Sequence, residues 1–363
     1  MRRTAALIAG AGPAGSVAAI ALARAGARPL LIERQRETGD PLCGGFLSWR
    51  TIDRLAGLGI DTDALGGTTI RSVRLFAGGR SAESRLPGAA MGVSRHRLDS
   101  ALLAEARRAG AGVELGCAIR EAAGTTLRLA DGATIAGASL FLATGKHELR
   151  GHGRNTPGDG DPWLGLRIRL PATPRLERLV GDAVELHLFD RGYAGLVRQE
   201  DGGGNLCLAL HKSLLVETGG GPAALFAHLA QALPDLADRI AGAPTDHPDA
   251  VAAVPYGWRA QFGVAGLFRL GDQAAVIPSL AGEGIDIALA SGSAAAAAWM
   301  QGGAAEAVTY QRRFSASLRR PLAVADWLKQ LCERPGLAAP GVALMHAVPA
   351  LAGLFARATR VAA

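Results

Sequence analysis

Three glycines near the start of the chain have the spacing of a nucleotide-binding turn. Gly10, Gly12 and Gly15 follow an apolar run and precede small residues with helical spacing up to Arg24. In a strand, turn and helix of this kind, the first glycine permits the tight turn, the second admits a pyrophosphate and the third lets helix and strand touch. The N–H groups at the start of the helix then bind the phosphates. The spacing therefore predicts a dinucleotide site.

An acid at the expected distance completes this pattern. A second apolar run over residues 29–32 ends in Glu33, about 20 residues beyond the glycines, where a carboxylate accepts hydrogen bonds from the hydroxyls of an adenosine ribose. Pro13 and Ala14 stand inside the turn and Arg34 directly follows the acid. We include these three residues among the predicted cofactor contacts.

The composition sets the wider class of protein. Hydrophobic residues make up 49% of the 363 residues, which is typical of a globular chain with a buried core. The formal net charge is +7, but the arginines that dominate it are scattered and form no basic run with aromatic residues, so nucleic-acid binding is not predicted. The four cysteines, Cys43, Cys117, Cys207 and Cys332, lack the spacing of a metal site, and all except Cys43 are interpreted simply as reduced thiols. No metal is expected.

The first residues also imitate a secretion signal, because Arg2 and Arg3 precede an apolar core and small residues. Cleavage would remove the turn that Glu33 completes, so we interpret the segment as part of the folded domain. We expect a cytoplasmic protein.

A cysteine beside two glycines interrupts regular structure in PLCGGFLS, residues 41–48. This segment resembles the PxCGG loop of the geranylgeranyl reductase branch of the flavoprotein monooxygenase superfamily, in which the loop runs beside the isoalloxazine ring of FAD. The resemblance implies that Cys43 and Gly44 lie near the flavin, and it makes Cys43 a candidate catalytic residue. A buried thiol that packs as a small hydrophobic group is the other interpretation of Cys43.

Two further stretches show the same resemblance. RHRLD, residues 95–99, resembles the RxxLD start of a helix whose arginine contacts the cofactor, which implies that role for Arg95; an exposed arginine in a first helical turn is the alternative. An apolar strand that closes on ATG resembles the third strand of FAD folds and implies that the chain passes the cofactor at Gly145. Many NAD(P)H-dependent hydroxylases carry an Asp-Gly pair where this chain has Thr144 and Gly145, so we do not expect efficient reduction by NADPH.

A second strong likeness lies far along the chain, in GDQAAVIPSLAGEGIDIALASG, residues 271–292. It resembles the GDAA, P, GEGI, A and SG series of geranylgeranyl reductases. The resemblance implies that Asp272 accepts a hydrogen bond from the ribityl chain and that Gly282, Gly284 and Ile285 bring the backbone close to the ring. The start of the following helix would then direct N–H groups at the edge where reduced flavin carries negative charge.

One departure from the family falls on the expected substrate site. GYAGL, residues 192–196, resembles the GYxWxF substrate motif, but Gly195 stands where the family has tryptophan. The smaller residue is expected to enlarge or reshape the pocket. Tyr193 becomes a candidate catalytic residue or substrate contact, and a plain strand aromatic is the alternative interpretation.

These motifs require elements that bring them to one place. We predict an α/β fold with a discontinuous Rossmann-like FAD-binding domain, an antiparallel β-sheet substrate domain and a C-terminal helical segment. The expected ranges are residues 1–67, 93–150 and 251–300 for the FAD-binding domain, residues 68–92 and 151–250 for the substrate sheet, and residues 301–363 for the C-terminal helices.

Local patterns add expectations about single elements. Residues 113–118, 126–129 and 134–135 predict a small antiparallel meander, and residues 222–233 predict a helix that stops at Pro234.

The C-terminal segment is unusually apolar. Residues 337–356 contain no acidic or basic side chain except His346, but prolines and glycines interrupt the run. We expect helices that close the substrate side, either packed as ordinary core or in peripheral contact with the inner face of a membrane.

The resemblance covers nearly the whole chain and implies bound FAD, which supplies the redox chemistry. It leads to the hypothesis of an FAD-dependent oxidoreductase that reduces a carbon–carbon double bond in a hydrophobic, prenyl-like or polyketide-like substrate and takes electrons from a separate donor. Two alternatives stay open. One is a flavin monooxygenase that hydroxylates an aromatic or lipid substrate, and the other is a non-catalytic flavin-binding partner protein.

Overall fold

The computed structural model describes residues 2–154, 156 and 160–361. Its strands are β1 (Arg2–Ala9), β2 (Leu30–Ile32), β3 (Phe46–Leu47), β4 (Thr68–Ala77), β5 (Arg80–Gly92), β6 (Gly112–Glu114), β7 (Ile119–Ala123), β8 (Thr126–Leu129), β9 (Thr134–Leu142), β10 (Trp163–Leu170), β11 (Ala183–Phe189), β12 (Gly192–Arg198), β13 (Gly204–His211), β14 (Asp249–Ala252) and β15 (Leu267–Arg269). Its α-helices are α1 (Pro13–Arg24), α2 (Trp49–Gly57), α3 (Arg95–Arg108), α4 (Pro174–Val180), α5 (Lys212–Glu217), α6 (Pro222–Ala232), α7 (Pro234–Ile240), α8 (Gly284–Gly302), α9 (Ala307–Ser317), α10 (Arg319–Cys332), α11 (Pro335–Ala347) and α12 (Ala350–Ala358).

The first sheet gathers the predicted cofactor motifs at one edge. Its parallel strands β6, β2, β1, β9 and β15 lie side by side, and Ala9 at the end of β1 pairs with Ile32 and Leu142, the last residues of β2 and β9. Arg269 ends β15 opposite Leu142. Because the carboxyl ends of parallel strands meet at the same edge, the segments that follow β1, β2, β9 and β15 are brought together there.

Small residues let two helices pack tightly on this sheet. α8 lies against α1 so closely that a Cβ at Gly292 would be 2.5 Å from the carbonyl oxygen of Ala14. Buried alanines and β-branched residues of both helices, such as Ala18 and Ile287, join the core that covers β1. The alanine-rich composition of these segments therefore sets the short distance between the two nucleotide-binding elements.

The second sheet has the order β14, β10, β13, β12, β11, β4, β5, β3. Its neighbouring strands are antiparallel except for β4 and β11, which are parallel. Along β12 the side chains alternate, since Tyr193 belongs to the cluster that contains Val342 of α11, whereas Ala194 and Leu196 belong to the cluster that contains Phe226 of α6. Helices therefore cover both faces of this sheet.

The structure confirms the predicted fold class and corrects two local expectations. Residues 113–118 are predicted in the meander, but β6 begins at Gly112 and pairs in parallel with β2. The meander consists of β7, β8 and β9, and β9 is one continuous strand over Thr134–Leu142. The helix predicted over residues 222–233 is confirmed as α6, which ends before Pro234, and Pro234 then begins α7 because proline fits the first turn of a helix.

Two strands near the ends of the predicted domain ranges belong to the second sheet, although all or part of each is expected in the FAD-binding domain. β3 lies within the first range expected for FAD binding, yet it pairs with β5 of the second sheet, and β14 runs across the expected boundary near residue 250.

No single helix in the described part of the chain is long and apolar enough to cross a membrane. The helices α11 and α12 reach the required length only together, and the chain bends by 115° between them.

Candidate functional site

The glycine turn has the geometry that its spacing predicts. Gly10 adopts a φ of +104°, which L side chains rarely reach, and its N–H donates to the carbonyl oxygen of Ile32 at 2.8 Å. A Cβ at Gly15 would lie 1.9 Å from the carbonyl oxygen of Gly10. Pro13 is the first residue of α1, where its missing N–H costs nothing. The turn and α1 are therefore in backbone contact.

Glu33 is tied to this turn from the neighbouring strand. Its carboxylate accepts hydrogen bonds from the backbone N–H of Ala11 at 2.8 Å and of Gln35 at 3.0 Å. Carboxylate oxygens accept more than two hydrogen bonds, so Glu33 retains capacity for ribose hydroxyls. Arg34 is exposed and contacts the ring of His147 at 2.6 Å, which places it beside the segment that follows β9.

The cysteine–glycine loop is held by the second sheet. The side-chain amide of the fully buried Asn205 on β13 donates to the carbonyl oxygens of Cys43 at 2.9 Å and Gly44 at 2.8 Å. Gly45 has a φ of +70°, and a Cβ there would lie 2.4 Å from the side chain of Gln199. Burial raises the pKa of the neighbouring Cys207 thiol to about 12, so that thiol stays protonated.

Arg95 is a partly buried cation that is fixed before any ligand binds. It makes two hydrogen bonds to the carboxylate of Asp99, at 2.8 and 2.7 Å. Burial disfavours the charged guanidinium, but the attraction of Asp99 outweighs burial and raises the pKa of Arg95. One Nη of Arg95 lies 3.5 Å from the position that a Cβ at Gly12 would occupy. The guanidinium therefore lies beside the glycine turn.

A second charged pair lies at the ends of β9 and β15. The ammonium of Lys146 is 3.9 Å from a carboxylate oxygen of Asp272. Burial opposes the charge of Lys146, but Asp272, Cys43 and Tyr256 together outweigh burial and raise the pKa of the ammonium. Arg154 joins the two loops by donating to the backbone carbonyls of Asp272 at 3.0 Å and Lys146 at 2.9 Å. Gly145, with a φ of +61°, accepts a hydrogen bond from Gln273 at 2.9 Å.

The start of α8 approaches the same space. Gly282 has a φ of +68°, and a Cβ there would lie 2.9 Å from the ring of Phe46, so only glycine fits. Gly284 begins α8 with open space around it. Glu283, between these glycines, is fully buried and forms an ion pair with Arg360 from beyond α12. The segment after α12 therefore contacts residues 282–284, which are predicted to lie close to the flavin ring.

These elements surround one cavity of about 570 Å³. The predicted site residues on its wall are Gly12, Pro13, Ala14, Cys43, Gly44, Arg95, Gly145, Tyr193, Asp272, Gly282, Gly284 and Ile285. Gly10, Gly15, Glu33 and Arg34 lie off the wall, the first two because they form the contact between turn and helix behind it.

The residues at this end of the cavity fit FAD. In the described residues, no side chain caps the first turn of α1 or of α8, so both helix starts keep N–H groups for acceptor atoms of a ligand. Gly12 and Gly284 carry no side chain that would block these donors. The guanidinium of Arg95 adds a positive charge for a pyrophosphate, and Asp272 adds an acceptor for hydroxyl groups.

The rest of the cavity is apolar. Side chains of β4, β11, α10, α11 and α12 form this part of the wall, and examples are Leu75, Leu188, Leu328, Val342 and Phe355. Gly195 faces the same space, and a Cβ there would meet its nearest atom, Cδ2 of Leu186, at an ordinary 3.5 Å. The glycine therefore leaves a volume open that a large side chain would fill.

Three hydroxyl groups mark the junction between the two ends. The hydroxyl of Tyr193 lies 2.5 Å from Oγ of Ser279 and accepts a hydrogen bond from the backbone N–H of Leu280 at 2.9 Å. Oγ of Ser279 lies 2.9 Å from the hydroxyl of Tyr256. Burial raises the pKa values of both tyrosines, so their hydroxyls stay protonated.

Several of these residues were not found from the sequence. Asn205 and Arg154 act through backbone carbonyls on distant segments, and such pairings leave no local spacing. The polar Asn205 in the apolar run NLCLAL of β13 is a usable signal, because a buried amide must have partners. Lys146 follows the ATG motif directly and could have been included on that ground.

The fold and the site define an oxidoreductase of the FAD-binding class, with a dinucleotide turn on a parallel sheet and a second sheet that covers the cavity. Residues 3–148 match the FAD binding domain family. The chain is 30% identical to the menaquinone reductase of Mycobacterium tuberculosis over 324 residues, which cover 80% of this chain and 75% of that protein. The chain belongs to the geranylgeranyl reductase branch of the FAD-dependent monooxygenase superfamily, and FAD is its cofactor, as predicted.

Two other relatives agree with this assignment. Digeranylgeranylglycerophospholipid reductase 1 of Methanopyrus kandleri is 33% identical over 145 residues, which cover 40% of this chain and 36% of that relative. The match thus spans about a third of the archaeal protein. A geranylgeranyl bacteriochlorophyll reductase-like protein from Thermoplasma acidophilum has the same fold, with a TM-score of 0.76, 18% identity and coverage of 95% of this chain and 92% of that one.

Proposed function

We propose that the protein reduces a carbon–carbon double bond in an elongated hydrophobic molecule, prenyl-like or polyketide-like. The observation that carries the proposal is the single cavity that runs from the glycine turn of α1 to the apolar side chains of α10, α11 and α12. A cavity of this kind holds a redox cofactor at one end and a long apolar chain at the other. Bound FAD, once reduced by the electron donor, would supply a hydride from its N5 atom, and a proton from solvent or a nearby donor group would complete the saturation of the bond.

Residues of the chain would bind FAD, orient the substrate and shield the reacting groups from water. Arg95 and the N–H groups of α1 would hold phosphate groups, while the cysteine–glycine loop, held by Asn205, would limit the position of the ring. Leu75, Leu188 and their neighbours would align an apolar chain and keep water out. The apolar side chains there offer no partner to a charged group along a substrate, and Arg360, which also lines the cavity, is already paired with Glu283.

The names of two relatives support this choice of substrate. The chain resembles proteins that are named as reductases of a digeranylgeranylglycerophospholipid and of menaquinone. Gly195, where the family motif has tryptophan, leaves extra room, which favours a bulkier or differently bent substrate than that motif accepts.

We also propose a separate electron donor in place of NADPH. The turn after β9 carries Thr144 and Gly145, and the hydroxyl of Thr144 donates to the carbonyl oxygen of His147 at 2.8 Å. The turn therefore closes on itself without the carboxylate that the hydroxylases use. Under anaerobic conditions we expect dithionite, and not NADPH, to bleach the visible bands of the bound FAD.

The test of the proposed reaction is an anaerobic single turnover. Dithionite-reduced, FAD-loaded protein is mixed with a geranylgeranyl lipid, and the visible bands and the mass of the lipid are followed. We expect the bands to return without oxygen and the lipid to gain two hydrogen atoms. Return of the bands only with oxygen, together with a lipid that gains an oxygen atom, would show a monooxygenase. No lipid-dependent change would favour the non-catalytic alternative.

A membrane surface is the proposed source of the substrate. Trp327, Leu337 and Leu344 are 50%, 45% and 56% exposed, and the same three residues line the cavity. The exposed apolar side chains of α10 and α11 therefore continue into the cavity wall, so a lipid could pass between them without crossing water.

Vesicle binding tests this contact. Val348 and Leu354 are exposed in the same region but do not line the cavity, so V348S and L354S should weaken co-sedimentation with phosphatidylglycerol vesicles and leave FAD content unchanged. Val216→Ser on α5 is the matched control, because Val216 is 61% exposed and its helix packs into the core that contains Phe226 of α6. Equal sedimentation of all variants would contradict the contact.

A further inference from the structure

The hydroxyls of Tyr193, Ser279 and Tyr256 can be counted as donors and acceptors. The three groups carry three hydrogens, but only two oxygen–oxygen contacts join them, at 2.5 Å and 2.9 Å. Each contact uses one hydrogen. One hydroxyl hydrogen in this chain of three is therefore not used within it.

The spare hydrogen does not belong to Tyr193. This side chain is only 3% exposed, and its oxygen already accepts the N–H of Leu280. In residues 2–154, 156 and 160–361, Ser279 is the remaining hydrogen-bond partner of the Tyr193 hydroxyl, so the hydrogen of Tyr193 points to Ser279. The spare hydrogen thus belongs to Ser279 or Tyr256.

Both remaining hydroxyls belong to residues on the cavity wall. Ser279 begins the short 3-10 turn Ser279–Ala281, which leads directly into the glycines before α8. The ring of Tyr256 packs edge-on against Trp163, with 5.4 Å between centroids, which limits its rotation. Ser279 and Tyr256 therefore present a hydrogen-bond donor at a fixed place, next to residues 282–284 and at the start of the apolar wall.

The charges around Ser279 and Tyr256 determine which kind of acceptor group a substrate can place there. Lys146 and Asp272 lie on the wall nearby, with 3.9 Å between their opposite charges. The other two cations on the described wall also have carboxylate partners, since Arg95 binds Asp99 and Arg360 pairs with Glu283. These pairs leave little net charge for a phosphate or carboxylate group of a substrate. A neutral donor beside a charge-balanced wall favours a neutral acceptor oxygen.

We propose that Ser279 and Tyr256 form a donor subsite that binds a carbonyl oxygen of the substrate at the cofactor end of the cavity. The proposal rests on the proposed function and narrows its substrate to a long apolar molecule with a carbonyl group near the reacting end. Tyr193 acts as a positioning residue, because its hydrogen bond to Ser279 directs the spare hydrogen outward.

Ligand binding tests the subsite without any turnover. Oxidised, FAD-loaded protein is titrated anaerobically with geranylgeranylacetone, a long-chain methyl ketone, and with the hydrocarbon of the same chain that lacks the oxygen. The perturbation of the visible flavin bands and tryptophan fluorescence report binding. We expect about tenfold tighter binding of the ketone, as one hydrogen bond of average strength provides.

Two variants decide the outcome. The double variant Tyr256→Phe, Ser279→Ala lacks both hydroxyls that can carry the spare hydrogen, so it should lose the preference for the ketone and keep the affinity for the hydrocarbon, whereas either single variant retains one donor and part of the preference. Tyr310→Phe, in the core beside β15, should keep the full preference. FAD content and melting temperature establish that each variant is folded.

Three results would overturn the subsite: equal affinity of the unchanged protein for the two ligands, a ketone preference that survives undiminished in the double variant, or failure to bind the ketone at all. If the preference follows the variants but the single turnover gives no reduced product, the proposed reduction fails while the subsite stands.

Discussion

The two ends of the cavity are built in different ways. At the cofactor end the wall is mostly the backbone of turns, at Gly12, Gly145 and Gly284. At the other end it consists of apolar side chains from strands and helices, such as Leu188 and Val342. The first kind of wall demands one residue type at each position, and the second demands only apolar volume. Substitutions at the cofactor end should therefore change only FAD binding, and substitutions at the apolar end should change only substrate binding.

The largest effect is expected at the glycine turn. In Gly15→Ala the new Cβ would lie 1.9 Å from the carbonyl oxygen of Gly10, so the turn must move. We expect FAD binding to weaken by about 100-fold or more, which corresponds to a severe single substitution. Gly57→Ala at the end of α2 is the control, because its Cβ meets nothing within 4 Å. FAD affinity by fluorescence titration measures both, and near-equal affinities would contradict the backbone contact.

The second sheet can be weakened without touching either ligand. Glu185 is fully buried and accepts hydrogen bonds from Arg239, at 2.9 Å twice, and from Arg74 at 2.7 Å. Burial opposes its charge, but His187 and Arg239 outweigh burial and lower the pKa of Glu185 to about 2. Because this pKa lies below the ordinary value of a glutamate, the carboxylate stabilises the fold above about pH 4.5, and this contribution is lost as the pH falls toward 2.

The expected contribution is about 3 kcal/mol at neutral pH. Urea unfolding should show Glu185→Gln to be less stable than the unchanged protein at pH 6, and the difference should shrink by more than half at pH 3. A difference that does not change with pH would show that the charge of Glu185 is not what stabilises the sheet.

A smaller effect is expected at the apolar end. Gly195→Trp places an indole in the open volume, whereas Gly195→Ala adds a Cβ with ordinary contacts. We expect KM for a long apolar substrate to change by about tenfold in the tryptophan variant, while both variants bind FAD normally. Loss of FAD from Gly195→Trp would contradict the separation of the two ends.

The smallest effect concerns an ion pair between the C-terminal helices and the start of α8. Arg360 follows the C-terminal helices, and its partner Glu283 directly precedes α8. In Arg360→Met the carboxylate loses its partner next to the positive end of the helix dipole. We expect the two-electron midpoint potential of FAD to fall by about 20 mV, because about 1 kcal/mol of stabilisation of negative charge is lost. Arg357→Met, an exposed arginine of α12, is the control, and equal potentials would contradict the coupling.

The sequence predicted the cofactor end better than the apolar end for a physical reason. Gly10, Gly15 and Gly282 are required by backbone conformation and close approach, and such requirements leave the same spacing wherever they occur. The apolar wall leaves no spacing, because Leu188 and Val342 meet through tertiary packing.

Local sequence patterns also could not predict the polar contacts between distant segments of the chain. Ser279 lies inside the recognised second motif, but its partners Tyr193 and Tyr256 come from other segments of the chain. Likewise the pair of Glu283 and Arg360 joins residues from two separate regions. The misplaced strand over residues 113–118 has a related cause, since apolar runs do not reveal which neighbour they pair with.

The central claim is that FAD and a long apolar molecule occupy one cavity. Titration of the FAD-loaded, oxidised protein with geranylgeraniol, followed by visible absorption, tests it directly. We expect a saturable shift of the flavin bands in the unchanged protein, and an about tenfold change in the concentration at half-saturation in Gly195→Trp that still holds FAD. If tryptophan fluorescence shows that the alcohol binds but the flavin bands do not move, the two molecules do not share the cavity.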